Sequence, residues 1–260
     1  MCRKVNTAPD FLVVPPRARK PRRRGVTHLL DKGLPAADTG RLLDVCGEFV
    51  DVWKFGWGTA YLDPGLAEKL AILHTHGVLG CTGGTLLEVA WHQGVVEKYL
   101  AWAERLGFPC VEVSCGVAPI GPEEKRKLIE QAAERFVVVA EIGSKDPHAE
   151  VSSGAWAAAA LADREAGATW VVTEGRESGT VGLFSADGEV RGDVADAVVD
   201  AVGVGCVVFE APRKEQQAWL VRRYGADVNL GNIPPSETLG VEALRLGLRA
   251  DTFDPAAVRS

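Results

Sequence analysis

Four carboxylates each end or follow a short apolar segment of the chain: Asp31, Glu141, Glu174 and Glu210. If the fold brings them together, like charges raise one another's pKa or require a counterion. A hard divalent cation meets that requirement, and Mg²⁺ takes oxygens from one or two carboxylates, from water and from substrate. The sequence therefore predicts a magnesium site that uses about two of the four. The alternative is that each carboxylate pairs with a neighbouring Lys or Arg.

Basic residues occur at or just after the same kind of segment: Lys32, Lys54, Lys145, Arg176 and Arg213. Lysine and arginine bind phosphate and carboxylate oxygens through charge-assisted hydrogen bonds. Together with the carboxylates they indicate an enzyme that binds a small polyanion and a metal.

Two further segments have the composition of anion sites. Gly83-Gly84-Thr85 leads directly into a predicted helix, whose first N–H groups can bind an anion, although a plain capped turn fits equally well. Asn229-Leu230-Gly231-Asn232 lies at and just after the end of the last predicted strand, where barrel enzymes frequently hold phosphate. Gly83, Gly84, Thr85, Asn229 and Asn232 are therefore candidate substrate ligands.

The elements that must position these residues alternate along the chain. Eight short apolar segments read as strands: Val26–Asp31, Phe49–Phe55, Gly77–Cys81, Cys110–Ser114, Phe136–Ile142, Thr169–Glu174, Cys206–Glu210 and Ala226–Leu230. Helix-period segments lie between them, among them Leu66–His76, Leu86–Leu106, Pro122–Glu134, Ala155–Ala166, Gln216–Tyr224 and Ser236–Leu248, and glycines follow several. The near-continuous apolar character of the strands is typical of parallel strands covered on both faces.

Eight βα units in 260 residues predict an α/β fold of the (β/α)8 TIM-barrel type, whose catalytic residues lie at the carboxyl ends of the strands. A doubly wound sheet is the competing architecture, but Asp31-Lys32-Gly33-Leu34 is not its Gly-rich phosphate turn. We predict an N-terminal arm over residues 1–24 and one catalytic domain over residues 25–260. The basic run Arg17–Arg24 is expected to be a solvated arm, with assembly or attraction of an anionic substrate as alternatives.

Composition excludes several function classes. The net charge of −6 gives no electrostatic reason to coat nucleic acid or an anionic membrane. The chain has no apolar segment long enough to span a membrane and no leader-like start, so a cytoplasmic protein is expected. Its six cysteines lack the spacing of a zinc site.

Several strings in the expected order resemble the phosphosulfolactate synthase family. They are Lys54-Phe55-Gly56-Trp57-Gly58-Thr59, Glu174-Gly175-Arg176-Glu177-Ser178-Gly179, Phe209-Glu210-Ala211-Pro212 with Gln216-Gln217, and Asp251-Thr252-Phe253. Asp31-Lys32-Gly33, Gly83-Gly84-Thr85, Lys145-Asp146-Pro147 and Asn229-Leu230-Gly231-Asn232 are also similar to the family, and the resemblance runs from about Pro21 to Phe253.

The resemblance implies a TIM barrel that adds sulfite to C3 of phosphoenolpyruvate, with Mg²⁺ as cofactor, giving (2R)-phospho-3-sulfolactate on the way to coenzyme M or related sulfonates. It implies Lys145 as the general acid that protonates C2, with Lys54 as the alternative acid or the group that holds sulfite. Arg176 and Arg213 would bind phosphate or sulfonate oxygens, and Lys32, Ser178 and Gly179 join the predicted substrate ligands. A homo-oligomer, with a trimer among its forms, is implied as well.

The sequence also departs from the family's pattern. Ser114-Cys115-Gly116-Val117 stands where the family has an Asp-Gly-Ser turn, so an acid and a hydroxyl are replaced by a thiol and an isopropyl group. If strand four contributes to the nucleophile pocket, these changes alter its polarity, and the alternative to sulfite is another nucleophile such as phosphite or a thiol. A third reading, from plant proteins of the family, is a non-catalytic binding protein of heat-stress and protein homeostasis.

Overall fold

The computed structural model describes residues 11–143 and 152–254. Eight parallel strands close into a barrel in chain order, each hydrogen-bonded to the next and the eighth to the first. They are β1 (Thr27–Asp31), β2 (Val52–Phe55), β3 (Leu79–Thr82), β4 (Cys110–Val113), β5 (Val137–Ile142), β6 (Trp170–Thr173), β7 (Val207–Glu210) and β8 (Asn229–Ile233). The predicted TIM barrel is confirmed.

Helices follow the strands and pack around the barrel. Those in the described residues are α1 (Ala36–Cys46), α2 (Thr59–Leu62), α3 (Leu66–Thr75), α4 (Gly84–His92), α5 (Val96–Leu106), α6 (Pro122–Ala133), α7 (Ser153–Glu165), α8 (Gly192–Val202), α9 (Lys214–Tyr224) and α10 (Thr238–Arg245). None of the helices in the described part of the chain is long and apolar enough to cross a membrane.

Several predicted boundaries are wrong; β2, for example, begins at Val52 and not at Phe49, which ends a short 3₁₀ helix. The segment Leu86–Leu106 was expected to be one helix, but the chain turns between α4 and α5, where Gly94 has a φ of 67° that ends regular helix. The last strand was expected at Ala226–Leu230, but β8 begins only at Asn229, because the turn before it extends to Val228.

Side chains alternate between the two faces of each strand, and this alternation places charged side chains inside the barrel. Val52, Cys110, Val139, Val172 and Val208 belong to a small apolar cluster inside the barrel. Since side chains two apart on a strand share a face, the residue two positions later also points inward. Those residues are Lys54, Glu112, Glu141, Glu174 and Glu210, all buried. The strands therefore place one charged layer on top of one apolar layer.

The basic run before β1 lies against the amino-terminal end of the barrel. Arg17 binds Glu242 and Asp227 at 2.9 Å and 2.7 Å. Lys20 Nζ donates to the carbonyl of Gly47 at 2.9 Å. Arg22 donates to the Glu48 carbonyl at 2.7 Å and pairs with Asp51 at 3.1 Å. The expected solvated arm is wrong for these three basic residues, because each has partners on the barrel; we call residues 17–22 the strap.

Candidate active site

A cavity of about 320 Å³ opens at the carboxyl ends of the strands, above the charged layer. Its lining combines glutamates, two cations and a few apolar groups from all eight strand ends. The lining residues are Leu30, Lys54, Trp57, Gly84, Thr85, Glu112, Val117, Glu141, Glu174, Arg176, Glu177, Glu210 and Asn232. This is the end of the barrel where catalytic residues of the fold lie.

Lys54 is the buried cation at the floor of this cavity. Its Nζ donates to Glu112 Oε2 at 2.9 Å and to Glu210 Oε1 at 3.1 Å, and the residue is only 4% exposed. Burial alone lowers the pKa of Lys54, but the carboxylates of Glu112, Glu210 and Glu141 outweigh it and raise that pKa well above the ordinary lysine value. Burial, assisted by Lys54, lowers the pKa of the neighbouring His28 well below its ordinary value. Lys54 is therefore a permanent positive charge beside a neutral imidazole.

Backbone N–H groups orient the two glutamates that hold Lys54. Glu112 Oε1 accepts the N–H of Gly84 at 2.9 Å, and Glu210 Oε2 accepts the N–H of Gly175 at 3.0 Å. Both donors must be glycine, because a Cβ on Gly84 would lie 2.2 Å from Ser114 Oγ and one on Gly175 would lie 2.9 Å from the Glu210 carbonyl oxygen. The close approach of two loops thus fixes the carboxylates around the lysine.

Glu141, Glu174 and Arg176 line the same cavity from β5 and from the loop after β6. Glu174 Oε1 accepts the Arg176 N–H at 2.8 Å, and Arg176 has a φ of 54° in this turn. The Glu141 carbonyl accepts a hydrogen bond of 2.6 Å from the buried Lys125. In its turn Lys125 pairs with Asp163 at 2.5 Å, which ties β5 to α6 and α7.

The cavity carries more negative than positive charge. Among the described residues its lining has five carboxylates, those of Glu112, Glu141, Glu174, Glu177 and Glu210, against Lys54 and Arg176. Within the same residues, no three His, Cys, Asp or Glu side chains are grouped closely enough to hold a metal ion by themselves. A cation in this cavity would therefore complete its shell with water and ligand oxygens, which is the usual mode for Mg²⁺.

Asp31, predicted with the metal ligands, is placed apart from the other three. Its Oδ1 accepts the N–H groups of Gly33 and Leu34 at 2.8 Å and 2.7 Å. Its Oδ2 accepts Trp53 Nε1 at 3.0 Å and pairs with the buried Lys69 at 2.8 Å. These contacts fix the loop after β1, and Asp31 lines an adjoining, mostly apolar cavity of about 540 Å³.

Lys32 and Arg213 face neighbouring loops. Lys32 Nζ pairs with Glu177 at 2.5 Å and lies 5.9 Å from the centre of the Trp57 ring, so it links the loops after β1, β2 and β6. Arg213 is not among the residues that line the cavity; its guanidinium lies beside Gly188, where a Cβ would come within 2.6 Å of it.

The glycine- and asparagine-rich segments divide between the cavity and its surroundings. Gly84, Thr85 and Asn232 line it, and Asn232 Oδ1 has no hydrogen-bond partner among the described residues. Gly83 packs against Trp57, where a Cβ would lie 2.6 Å from a backbone nitrogen. Asn229 begins β8 at the opposite end of the barrel and donates to the Val207 carbonyl at 2.9 Å.

Two more predicted ligands belong to the loop after β6. Ser178 Oγ shares a hydrogen bond of 2.8 Å with Thr180, and the Gly179 carbonyl accepts Gln216 Nε2 at 2.8 Å. Lys145, the predicted acid, lies outside the described residues.

Glu112, Trp57 and Glu177 also line the cavity, although the sequence reasoning gave none of them a catalytic, substrate-binding or metal-binding role. Glu112 had a readable signal, because it follows the interior residue Cys110 by two positions, as Glu141 follows Val139. Trp57 and Glu177 lie on loops, where no periodicity indicates direction.

Comparison with known proteins gives a family for the whole barrel. Residues 15–251 match the family model described as (2R)-phospho-3-sulfolactate synthase (ComA). The chain is 41% identical over 250 residues to a phosphosulfolactate synthase of Methanothermobacter thermautotrophicus, covering 94% of this chain and 96% of that one. It is 38% identical over 248 residues to a phosphosulfolactate synthase of Bacillus subtilis, with 94% and 98% covered.

More distant similarities extend the picture. Protein HEAT-STRESS-ASSOCIATED 32 of Arabidopsis thaliana is 26% identical over 263 residues, with 88% of both chains covered. Among solved structures, a 3-hexulose-6-phosphate synthase superposes with a TM-score of 0.54 at 17% identity, covering 84% of this chain and 99% of the other. That likeness shows the barrel fold alone. The family match and the two synthase relatives show that the chain belongs to the phosphosulfolactate synthase family.

Proposed function

We propose that this protein is a Mg²⁺-dependent phosphosulfolactate synthase that adds sulfite to C3 of phosphoenolpyruvate and yields (2R)-phospho-3-sulfolactate. The observation that carries the proposal is the cavity in which Lys54, held by Glu112 and Glu210, faces further carboxylates and Arg176 at the mouth of a barrel of this family. A fixed cation and an excess of carboxylates suit a polyanionic substrate that arrives with a divalent cation.

The reaction makes two demands on the protein. The sulfur lone pair forms a bond to C3, and the C2–C3 π electrons move onto the substrate carboxylate. A proton then adds to C2, while the phosphate ester stays intact. The protein must stabilise the negative charge that grows on the carboxylate and must deliver the proton to one face of C2.

Lys54 meets the first demand. Because Glu112, Glu210 and Glu141 raise its pKa, it stays protonated and serves as a preorganised positive charge under the substrate. The same shift makes Lys54 a weak proton donor. We therefore assign the proton at C2 to Lys145, as the family resemblance implies, and keep Lys54 as the electrostatic group.

Arg176 is the cation assigned to the phosphate oxygens, since its turn after β6 places it in the cavity lining. Glu141 and Glu174 are the residues that would hold Mg²⁺, because both line the cavity while one oxygen of Glu112 and one of Glu210 accept hydrogen bonds from Lys54. When bound, a divalent cation supplies charge stabilisation for substrate oxygens. Sulfite as the nucleophile, assembly into a homo-oligomer and a cytoplasmic location stay predictions.

Phosphorus NMR tests the activity directly. Purified protein is incubated with phosphoenolpyruvate, Mg²⁺ and sulfite, beside a Lys145→Ala variant and a tube in which phosphite replaces sulfite. A new phosphate-ester resonance with sulfite that the variant does not form is the expected result. Product with phosphite alone would show that the Cys115-Gly116-Val117 turn redefines the nucleophile. No product in any tube would contradict the proposal.

Thermal unfolding separates an enzyme from a non-catalytic relative of the same fold. Phosphoenolpyruvate with Mg²⁺ should raise the Tm, and the increase should grow with the logarithm of the ligand concentration above its Kd; chelation of the metal should remove the increase. A Tm that neither phosphoenolpyruvate nor Mg²⁺ changes would favour the alternative of a non-catalytic binding protein.

A further inference from the structure

The loop between β4 and α6 forms one wall of the cavity through Val117, whose side chain is apolar and 65% exposed. A wall made by an exposed loop keeps its place only if something anchors it. The anchor is Glu88, a fully buried carboxylate on α4 that is not part of the cavity lining.

Glu88 receives hydrogen bonds from four donors of this loop. Oε1 accepts the Ser114 hydroxyl and the Gly116 N–H, the latter at 3.1 Å. Oε2 accepts the N–H groups of Val117 and Ala118, each at 2.6 Å. Three consecutive backbone N–H groups that converge on one anion form a nest, the kind of concavity that elsewhere binds phosphate or other anions.

A second line of contacts runs from Glu88 to the buried cation. Ser114 packs against Gly84, where a Cβ would lie 2.2 Å from Ser114 Oγ. Gly84 in turn donates to Glu112 Oε1 at 2.9 Å, and Glu112 Oε2 holds Lys54 at 2.9 Å. The carboxylate of Glu88 is therefore connected to Lys54 by four consecutive contacts, through Ser114, Gly84 and Glu112.

The donors also keep Glu88 ionised. Burial alone would raise the pKa of this carboxyl, but the hydrogen bonds from Ser114, Ala118, Val117 and Gly116 outweigh it and lower the pKa below the ordinary glutamate value. The nest thus holds a charge supplied by the protein itself.

We propose that Glu88 is a positioning residue, the internal anion of the nest in the β4–α6 loop, and that it sets the place of Val117 and the orientation of Glu112 toward Lys54. When the side chain is removed, the nest becomes an empty site for a small carboxylate such as formate. The kinetic part of this proposal rests on the proposed function, whereas formate binding does not.

The test compares Glu88→Ala with and without formate. Without formate, kcat/KM should fall about 10- to 100-fold, mainly through a higher KM for phosphoenolpyruvate, because the cavity wall is displaced. Formate should restore most of the loss in a saturable manner, and chloride should not. Glu88→Gln should lose activity without rescue, since its amide fills the space and turns a donor toward donors.

Glu242→Ala is the matched control. Glu242 is also a buried carboxylate, bound to Arg17 at the opposite end of the barrel, so its loss should lower the Tm and leave KM unchanged. Rescue of the Tm of Glu88→Ala by formate without any recovery of KM would reduce Glu88 to a structural role and overturn the proposal. Wild-type kinetics in a folded Glu88→Ala protein would overturn it as well.

Two outcomes separate this proposal from the proposed function. If the wild-type protein forms no product, the proposed function is contradicted. The formate-dependent increase in the Tm of Glu88→Ala then tests the nest by itself. If Glu88→Ala does not fold, formate during refolding should recover soluble protein, and failure to do so counts against the nest.

Discussion

The two ends of the barrel use buried charge in opposite ways. At the amino-terminal end, Arg17, Arg22 and Arg245 each lie within 4.0 Å of a carboxylate oxygen of Asp51, Asp227 or Glu242. Arg245 also donates to the carbonyls of Ala226 and Val26, at 2.7 Å and 3.2 Å, and so ties the ends of β1 and β8 together. Arginines and carboxylates are paired there, and the arginine N–H groups also help to close the barrel.

At the mouth the balance is broken, because five carboxylates face two cations in the described cavity lining. Like charges held together in a buried site lower the stability of the ligand-free protein, and no packing gain explains their presence. The contrast indicates that the amino-terminal end is arranged for stability, whereas the described lining of the mouth carries an excess of negative charge, which the proposed divalent cation would offset.

The largest effect is expected from Lys54→Met. Without its cation the mouth loses the group that stabilises developing negative charge, so kcat/KM should fall about 10²- to 10³-fold. Steady-state kinetics on protein shown to be folded by circular dichroism measures it. Lys69→Met removes an equally buried lysine, paired with Asp31 outside the cavity, and should change kcat/KM much less. Equal losses of kcat/KM in the two variants would contradict the special role assigned to the lysine inside the cavity.

The opposite end is tested by Arg245→Met. Removing one partner of a buried charged network costs about 3–5 kcal/mol, so the free energy of unfolding in urea should fall by that amount. The kcat/KM of the folded variant should stay within about twofold of wild type, since Arg245 lies a full barrel length from the cavity. A fall in kcat/KM of the folded variant well beyond about twofold would contradict the proposal that the two ends have separate roles.

A smaller effect is expected from Gln216→Leu. Gln216 Nε2 donates to the carbonyls of Gly179 and Gly188, at 2.8 Å and 3.1 Å, and so anchors the loop that presents Arg176. Loosening that loop should raise KM for phosphoenolpyruvate about tenfold with a modest change in kcat. The exposed Gln131, which contacts Glu97 far from the mouth, provides the control Gln131→Leu.

The smallest effect concerns acid stability. The folded-state pKa of Glu88 is lowered, so its contribution is present above the unfolded glutamate pKa of about 4.3 and is lost as the pH falls through the folded value. Urea titrations between about pH 5 and pH 3 should show a steeper loss of unfolding free energy for wild type than for Glu88→Gln. Parallel curves would mean that the nest does not favour the ionised carboxyl.

The fold and half of the site could be predicted from the sequence because both follow from periodicity. Each strand was placed by its apolar run, and Glu141, Glu174 and Glu210 could be assigned to the mouth because they end such runs. Asp31 ends a run in the same way, yet its oxygens go to Lys69, Trp53 and its own loop. The position of a residue at a strand end predicts that it lies at the rim of the barrel, but it does not predict which side chains or N–H groups its carboxylate binds.

The remaining differences come from contacts between distant segments. Nothing near Glu88 in the sequence indicates that its carboxylate meets a loop 26 to 30 positions later. Asn229 was predicted at the mouth because β8 was predicted three residues too early. The Asn229 side chain instead donates to the carbonyls of Gly205 and Val207, at the start of β7. Arg213 follows β7 as predicted, but the β6 loop takes up its guanidinium.

The strap has a consequence for synthesis of the protein on the ribosome. Arg17 emerges early, but its partner Glu242 lies 225 positions later in the chain. At a synthesis rate of roughly 5–20 residues per second, about 10–45 s separate the synthesis of Arg17 from that of Glu242. During that interval Arg17 lacks Glu242 and the edge of β1 lacks β8, so both are accessible to chaperones and proteases, and barrel closure is a late and vulnerable step in the biogenesis of this protein.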